Sequence, residues 1–289
     1  PFLPKRESVS RNRICACCWQ SVFCTVVFAL YDLGDRKAPT TTYDMSGELQ
    51  AIELELPRRC AACDYGQLSG LPGTSDYFGM DVKSNAEDSW TYLGEIILNN
   101  VFTWQDVSLQ DLLTQATENS TSDMSATTRY LRLSLTDNDA SLIELVFLDA
   151  NGNITRPLNA DAYPTLFDES DLYPERYSFR NSMYFDEIYH ARTAYEFLHG
   201  LPTYENTHPP LGKIFIALGV AIFGMNPFGW RIMGTLFGIA MLPFIYLLGK
   251  KMTRILLAVE LWPASCLPLI LCILRRQGLP PSMFISHSL

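Results

Sequence analysis

The hydrophobic pattern changes its period part-way along the chain, and this change limits the possible folds more than any other feature. From residue 43 to about residue 153, apolar and polar residues alternate, most clearly over 130–136. Alternation of period two is typical of strands that cover a core with one face. Beyond residue 213 there are two long apolar segments, 214–225 and 232–249. The chain therefore combines a β-structure with helices of the apolar kind found in membranes.

Four segments of the alternating part predict strands, and residues 149–152 predict a turn. The strand segments are 49–56, 90–98, 130–136 and 142–149. Short strands at this spacing indicate a β-sandwich over 40–155. The strings 88–94, 128–133 and 140–145 together resemble the jelly-roll modules of the discoidin or galactose-binding type. Such a module either binds glycan or is a spacer that packs on its neighbour, and the sequence leaves both readings open.

The net charge of −9 is unevenly distributed along the 289 residues. Residues 32–205 hold 29 of the 31 acidic residues but only 11 of the 22 basic ones. The other basic residues flank apolar segments and form no stripe, which disfavours a nucleic-acid-binding protein. A hydrophobic content of 48% excludes a disordered chain. These values favour a membrane protein with a large acidic domain on the non-cytoplasmic side.

Four basic residues, Lys5, Arg6, Arg11 and Arg13, precede an apolar run over about 14–33. This arrangement is typical of a signal peptide or of a first transmembrane helix whose amino end is cytoplasmic. Because no small-residue cleavage site stands out, we expect residues 1–34 to form a cytoplasmic basic end and a transmembrane helix.

The eight cysteines fall in three patches, 15–24, 60–63 and 266–272. Their number in a secreted chain would suggest disulfide bonds, and Cys15-x-Cys17-Cys18 with Cys60-x-x-Cys63 would suggest zinc ligands. Both readings are disfavoured, because the best-patterned part of the chain contains no cysteine and no histidine lies near the first patch. We therefore expect no metal site.

Residues 156–213 are expected to form a connector and an extracytoplasmic loop, with a short amphipathic helix over 181–200. Residues 214–253 are expected to hold two transmembrane segments. If Lys213 lies outside the membrane, two spans would return Lys250, Lys251 and Arg254 to the outside, against the positive-inside tendency. Either this tendency does not apply here or one of the two segments does not cross.

Three motifs lie in and after this connector: Asp186-Glu187, His208-Pro-Pro-Leu-Gly-Lys213 and Phe228-Gly-Trp-Arg231. Together they resemble the protein O-mannosyltransferase family, and most of all its bacterial branch of polyprenol-phosphate-dependent glycosyltransferases with the GT-C fold. The similarity covers about 181–253, a quarter of the chain. It implies a multi-pass α-helical membrane protein of the GT-C type, present in part, with an inserted extracytoplasmic β-sandwich.

The motif residues suit the transfer of a sugar from a lipid phosphate to a hydroxyl group. This reaction needs a base that takes the proton of the acceptor hydroxyl, and Asp186 is the candidate. The family resemblance implies that Asp186 is catalytic and that Glu187 helps to place the acceptor. On spacing alone, paired acidic residues at the start of a helix are usually solvated partners of the helix dipole. The nearby His190 and His199 are interpreted as packing or surface residues.

The leaving phosphate gains negative charge, so a nearby cation lowers the barrier. Arg192 and Lys213 are the candidates that bind the donor phosphate, and His208 is a candidate for the phosphate or the sugar. Arg231 either binds substrate or, as is commoner for an arginine beside a membrane helix, only anchors that helix.

The sequence therefore predicts a multi-pass cell-membrane glycosyltransferase. It would move a sugar, with mannose implied by the resemblance, from a polyprenol-phosphate carrier to a hydroxyl of a protein or surface glycan. Its predicted partners are this lipid-linked donor, the acceptor and membrane lipid, with no nucleic acid. No metal or other cofactor is required, because a base, a lipid phosphate and cations suffice. The alternative is a membrane-anchored carbohydrate-binding protein whose β-sandwich is the functional part.

Beyond Arg254 the family pattern is lost, and residues 254–289 carry Cys266, Cys272 and two adjacent prolines. A shifted reading frame explains this change, since the codons of 269–288 read one base earlier can encode family-like residues. We therefore expect 254–289 to be a frame-shifted tail and the chain to be an incomplete fragment without turnover of its own. The cysteine-bearing patches 14–24 and 58–83 give a weaker indication of the same kind.

Overall fold

The computed structural model describes residues 23, 25–45, 51–60, 64–69, 76–98, 100–119, 128–135 and 140–252. The chain divides into two compact units, Lys37–Arg176 and a second unit that combines Pro1–Arg36 with Tyr177–Leu289. The predicted tail 254–289, the basic amino-terminal residues and every cysteine except Cys60 lie outside the described residues.

The unit Lys37–Arg176 is built mainly of antiparallel strands, arranged in two sheets. One sheet has the strand order β2-β7-β4-β5, and the other has the order β1-β8-β3-β6, with β9 beside β8. The four predicted strands are confirmed as β2, β5, β7 and β8, with ends shifted by a few residues. In chain order the strands are β1 (Tyr43–Met45), β2 (Ala51–Cys60), β3 (Asp64–Ser69), β4 (Asp76–Lys83), β5 (Thr91–Leu98), β6 (Trp104–Ser108), β7 (Thr128–Leu135), β8 (Ala140–Leu148) and β9 (Ile154–Thr155).

The two sheets share one apolar core, as the alternating pattern predicts. In β7, Leu131, Leu133 and Leu135 are buried. They belong to the same cluster as Leu142 and Leu145 of β8, which lies in the other sheet. Removing these side chains from water stabilises the pair of sheets, by roughly 25 cal/mol for each Å² of apolar surface. The β-sandwich-like character of this unit is therefore confirmed.

Several elements of this unit are absent from the sequence-based prediction, and β4 and α2 are the two that contribute most to the core. Strand β4 lies between β7 and β5, inside the cysteine-bearing patch 58–83. Its alternate residues Phe78, Met80 and Val82 are buried in the core, which is the pattern of an ordinary half-buried strand. Helix α2 (Leu109–Asn119) buries its apolar side in the same core.

The described part of the second unit is helical. It contains α1, described over residues 25–30, α3 (Glu187–His199), α4 (Pro210–Phe223) and α5 (Pro227–Met252). Helix α3 ends at Gly200, which has φ of 65° and whose amide donates to the Glu196 carbonyl oxygen. A glycine in the left-handed conformation is a common end of a helix. Helices α4 and α5 both begin with proline, a residue that favours the first helical position.

Helices α4 and α5 approach each other closely because of Asn226 and two glycines. The Asn226 side-chain oxygen accepts a hydrogen bond from the Gly229 amide at 2.8 Å, which caps the start of α5. The Asn226 side-chain nitrogen donates to the Phe223 carbonyl oxygen at 2.7 Å. A Cβ atom on Gly219 would lie 2.5 Å from the Gly229 carbonyl oxygen, so the contact requires glycine.

Within α5, the stretch Pro227–Ile245 is long and apolar enough to cross a membrane. Helix α4 is also apolar, but its 14 residues are fewer than the roughly 20 that a transmembrane helix needs. In the described ranges α5 is the one helix of sufficient length and composition. A single candidate span leaves the multi-pass arrangement a prediction.

Candidate functional site

The predicted motif residues lie at the beginnings of the helices of the second unit. Asp186 and Glu187 lie where α3 begins, His208 and Lys213 lie around the start of α4, and Arg231 lies in the first part of α5. Helix α3 packs on α4, and α4 packs on α5. The three motifs therefore belong to one packed group of helices.

Asp186 precedes the first residue of α3, and its side chain is exposed. It makes no side-chain capping bond, and within the described residues its carboxyl group has no hydrogen-bond or ion-pair partner. The preceding residue, Phe185, has φ of 50°, in the left-handed region that aromatic residues rarely adopt. This conformation prevents the helix from extending towards residue 181, and it leaves Asp186 at the helix entrance.

Glu187, in contrast, is fully engaged. Arg231 donates from Nε to one carboxylate oxygen at 2.7 Å and from Nη2 to the other at 2.5 Å. Bidentate pairs of this kind are strong and fix the geometry of both groups. The Trp230 indole N–H and the Tyr184 amide donate to the same carboxylate at 3.2 and 3.1 Å. The two acidic residues of the motif therefore have opposite environments.

Arg231 has an acceptor for each of its five N–H groups. In addition to its two bonds to Glu187, Nη1 donates to the carbonyl oxygens of Leu33 and Phe179, and Nη2 donates to that of Ser182 at 3.0 Å. Arg231 thereby connects the residues after α1, the connector and α5. The sequence leaves two roles open for Arg231, substrate binding and anchoring of its helix, and this bonding favours anchoring.

Lys213 and His208 share a carboxylate that the sequence analysis does not single out. The Lys213 side chain is almost fully buried, and its ammonium group donates to the Glu205 carboxylate and, at 2.7 Å, to the Glu205 carbonyl oxygen. His208 is exposed, and its Nδ1 lies 3.2 Å from the same carboxylate. Hydrogen bonds from Lys213 and Thr207 hold the pKa of Glu205 well below its usual range.

His190 lies one turn after Asp186 along α3, and it is half-buried. Burial lowers the pKa of His190, and the charges of His208 and Lys213 lower it further, against the opposite effects of Asp186 and Glu205. The rings of His190 and His208 meet edge to face with centroids 5.2 Å apart. The buried Nδ1 of His190 has no hydrogen-bond partner in the part of the chain that the structure describes. The i, i+4 spacing from Asp186 is the sequence signal that connects His190 to the site.

Arg192 is held by a carboxylate of its own helix and by an aromatic ring. Its Nε donates to Glu196 at 2.9 Å, and its guanidinium lies 4.0 Å from the centre of the Tyr204 ring. Each of the three predicted cations is thus paired with a carboxylate. Of the two acidic residues in the motifs, Asp186 is the one that forms no ion pair with a described residue. The pairs are Arg192 with Glu196, Lys213 with Glu205 and Arg231 with Glu187.

The arrangement offers one group suited to acid–base chemistry, the carboxyl group of Asp186. Asp186 offers an exposed carboxyl group that can accept a proton from a bound hydroxyl group. Lys213 uses two acceptors in the structure and, as an ammonium group, has a third N–H to donate. Among the described residues, no three His, Cys, Asp or Glu side chains are placed to hold a metal ion.

Comparison with curated proteins shows partial similarity to bacterial mannosyltransferases. The chain is 37% identical over 76 residues to a polyprenol-phosphate-mannose–protein mannosyltransferase of Mycobacterium tuberculosis, covering 24% of this chain and 15% of that protein. It is 33% identical over 76 residues to the protein of the same name from Mycolicibacterium smegmatis, with the same coverage. No family model matches the chain.

Among solved structures, truncated AlyQ with CBM32 and alginate lyase domains is similar with a TM-score of 0.27 and 14% identity. The match covers 44% of this chain and 29% of that one. The sequence relationship is therefore the informative one, and within it the chain spans about 15% of the length of its mannosyltransferase relatives.

Proposed function

We propose that this chain carries the acceptor-activating part of a membrane glycosyltransferase, which transfers mannose from a polyprenol-phosphate carrier to a hydroxyl group of a protein or surface glycan. The names of the partial relatives support mannosyl transfer at the level of the family. The observation that carries the proposal is the unpaired, exposed carboxyl group of Asp186 at the start of α3, beside a Glu187 that is fixed by Arg231.

In the proposed reaction, Asp186 accepts the proton of the acceptor hydroxyl as its oxygen attacks the anomeric carbon of the sugar. The bond from that carbon to the phosphate oxygen breaks with inversion, and polyprenyl phosphate leaves with the electron pair. The proposal assigns the third N–H of Lys213, together with His208 and Arg192, to the departing phosphate, because a cation there stabilises the negative charge that develops. Base, lipid phosphate and cations complete this reaction without a metal or another cofactor.

Glu187 and Arg231 have a different role in this proposal. Because their hydrogen-bonding groups are occupied by each other and by the backbone, they place the acceptor indirectly, by fixing the first turn of α3. Asp186 then projects from a rigid position, which is what general-base catalysis needs.

The contacts of α5 with the residues after α1 support a particular membrane arrangement. Arg231 donates to the Leu33 carbonyl oxygen, the Phe228 amide donates to that of Asp35, and Asn226 donates to that of Arg36, each at 3.2 Å. The end of α1 and the start of α5 therefore lie at the same level. Helix α4 is about 21 Å long, whereas the hydrocarbon core of a bilayer is about 30 Å thick. We place α5 and the apolar run 14–33, in which α1 lies, across the membrane and α4 at its outer side.

The test is mannosyl transfer by the intact gene product in lipid nanodiscs, with a polyprenyl-phosphate mannose donor and a peptide acceptor. We expect Asp186→Asn to lower the rate by about 100-fold or more, which is the usual contribution of a positioned general base. Asp111→Asn is the matched control, because Asp111 is also an exposed acidic residue in the first turn of a helix, in the other unit. Equal rates for Asp186→Asn and wild type would exclude Asp186 as the base. Glycan retention by the Asp186→Asn variant without any transfer by wild type would favour the carbohydrate-binding alternative.

A further inference from the structure

The turn before Asp186 carries an apolar side chain in an unusual position. Phe185 is 75% exposed, the highest value for any large apolar residue in the described ranges. Its neighbour Tyr184 is also exposed, and the two ring centroids are 6.5 Å apart. Two adjacent exposed aromatic rings thus stand directly before the candidate base.

The backbone of Phe185 is also unfavourable. Its φ of 50° lies in the left-handed region, where Cβ crowds the following carbonyl oxygen, so glycine or asparagine is expected at such a position. Phe185 therefore combines a strained backbone with an apolar ring that is largely exposed. Strain of this kind is found where a particular side-chain placement has a functional use.

The surrounding contacts place this turn at one end of the helix group. The Tyr184 amide donates to the Glu187 carboxylate at 3.1 Å. That carboxylate is held by Trp230 and Arg231 near the start of α5, and Arg231 in turn contacts the Leu33 carbonyl oxygen after α1. Tyr184 and Phe185 consequently lie at the end of the helix group where α1 finishes and α5 begins.

The same unit also exposes an apolar stripe on α5. Helix α5 exposes Phe237, Met241, Phe244 and Leu248, spaced by three or four residues along one side. In a membrane arrangement, this side faces lipid, and aromatic residues at the helix ends lie at the boundary between headgroups and acyl chains. The aromatic turn lies at the level of the start of α5, where that boundary is expected.

We propose that Tyr184 and Phe185 insert into the headgroup–acyl boundary of the bilayer and thereby hold Asp186 at the depth of the sugar phosphate of a lipid-linked donor. This inference rests on the membrane placement of the proposed function. It names lipid as the partner of this turn and assigns Phe185 a positioning role for the reaction.

The direct test replaces Phe185 with the photoreactive analogue p-benzoylphenylalanine in the intact gene product, embedded in nanodiscs of phosphatidylglycerol and phosphatidylethanolamine. After irradiation, mass spectrometry identifies the molecule to which residue 185 is joined. We expect phospholipid adducts, as for the same replacement of Phe244, which is 72% exposed on α5. The same replacement of Tyr92, an exposed residue of a β-strand in the other unit, is the comparison and should give few lipid adducts. Adducts with another segment of protein, or none, would overturn the proposal.

A second test separates positioning from simple structural support. Phe185→Gly relieves the backbone and removes the ring, so the thermal midpoint in detergent should stay the same or rise, while the donor KM in nanodiscs rises several-fold. Phe185→Leu keeps an apolar side chain and should retain a donor KM close to that of wild type. A lower thermal midpoint with an unchanged donor KM for the glycine variant would show that the ring only stabilises the fold. Lipid adducts form without sugar transfer, so the crosslinking result can fail or succeed whatever the Asp186→Asn variant does, whereas the donor KM is measured only on a protein that transfers mannose.

Discussion

At the scale of single residues, Glu144 is a carboxyl group whose pKa is strongly altered by its surroundings. It lies on β8 with no exposed surface, and one of its carboxyl oxygens accepts the Glu169 amide hydrogen bond at 3.3 Å. The other oxygen has no partner among the residues that are described. Burial raises the pKa of Glu144 to about 8, and the negative charges of Asp168, Glu169 and Asp171 contribute to the increase.

This pKa predicts how the stability of the sheets depends on pH. Since the carboxyl group holds its proton more tightly in the folded state, its contribution is fully present below the ordinary pKa of about 4.5 and is lost as the pH rises through about 8. We expect Glu144→Gln to remove this dependence and to stabilise β8 by a few kcal/mol above pH 8, since each pKa unit corresponds to about 1.4 kcal/mol. Hydrogen exchange of the β8 amides from pH 5 to 9, corrected for intrinsic rates, measures the effect.

The matched control is Glu175→Gln, because Glu175 is an exposed residue of the same unit. Its exchange profile should coincide with that of wild type at every pH. If the Glu144→Gln profile keeps the slope of the wild type, the buried carboxyl group is not the source of the pH dependence.

The residue types of the candidate site could be predicted from the sequence, but their partners could not. Asp186 and Glu187 are adjacent and chemically similar, so no local pattern shows that one is free and the other bound. The difference arises from Arg231, which is 44 residues further along and reaches Glu187 only after the helices pack. Glu205 is another example, since an acidic loop residue eight positions before Lys213 has no distinctive pattern until it meets the ammonium group.

At the scale of elements, the contact between α4 and α5 depends on two glycines. A Cβ atom on Gly219 would lie 2.5 Å from the Gly229 carbonyl oxygen, and one on Gly229 would lie 2.1 Å from the Gly224 carbonyl oxygen. We expect Gly219→Ala to destabilise this helix pair by about 1–3 kcal/mol, because the backbones must separate. Unfolding of the chain in detergent by sodium dodecyl sulfate, followed by circular dichroism, measures the loss.

Gly234→Ala provides the comparison within α5. A Cβ atom at Gly234 meets no atom within 4 Å, so this variant should be neutral or more stable by up to about 1 kcal/mol through helix propensity. Equal destabilisation by the two alanine variants would show that close backbone approach does not determine the packing of α4 on α5.

The elements differ in how well the sequence predicts them, for identifiable reasons. Strand β7 is clear because its leucines alternate with polar residues that face outwards. The start of α3 is missed by about six residues, since the predicted helix begins at 181 but Ser178 accepts the backbone bonds of residues 181 and 182 in a turn. The left-handed Phe185 then delays the helix to Glu187. Neither a turn nor one unusual φ angle changes the spacing of apolar residues, so the amphipathic pattern does not reveal where α3 begins.

At the scale of the whole molecule, the proposed placement of the helices would remove the conflict between Lys213 and the basic residues in the last turn of α5. If α4 stays at the outer side, then α5 is the span that follows α1, and it runs from the outer side back to the cytoplasm. Lys250 and Lys251 then share a side with the basic amino-terminal residues, as the positive-inside tendency requires. An arrangement with both α4 and α5 across the membrane would place them on opposite sides.

The topology can be measured with single cysteines in a cysteine-free variant of the intact gene product, labelled in intact cells by a membrane-impermeant maleimide. Asn206→Cys, exposed before α4, should react from the outside. Lys251→Cys should react only after the membrane is permeabilised, because α5 carries it to the cytoplasm. Labelling of both positions from the outside would mean that α4 crosses as well. Labelling of neither before permeabilisation would put Asp186 on the wrong side for a lipid-linked sugar at the outer surface, since Asp186 and residue 206 belong to the same packed group of α3 and α4.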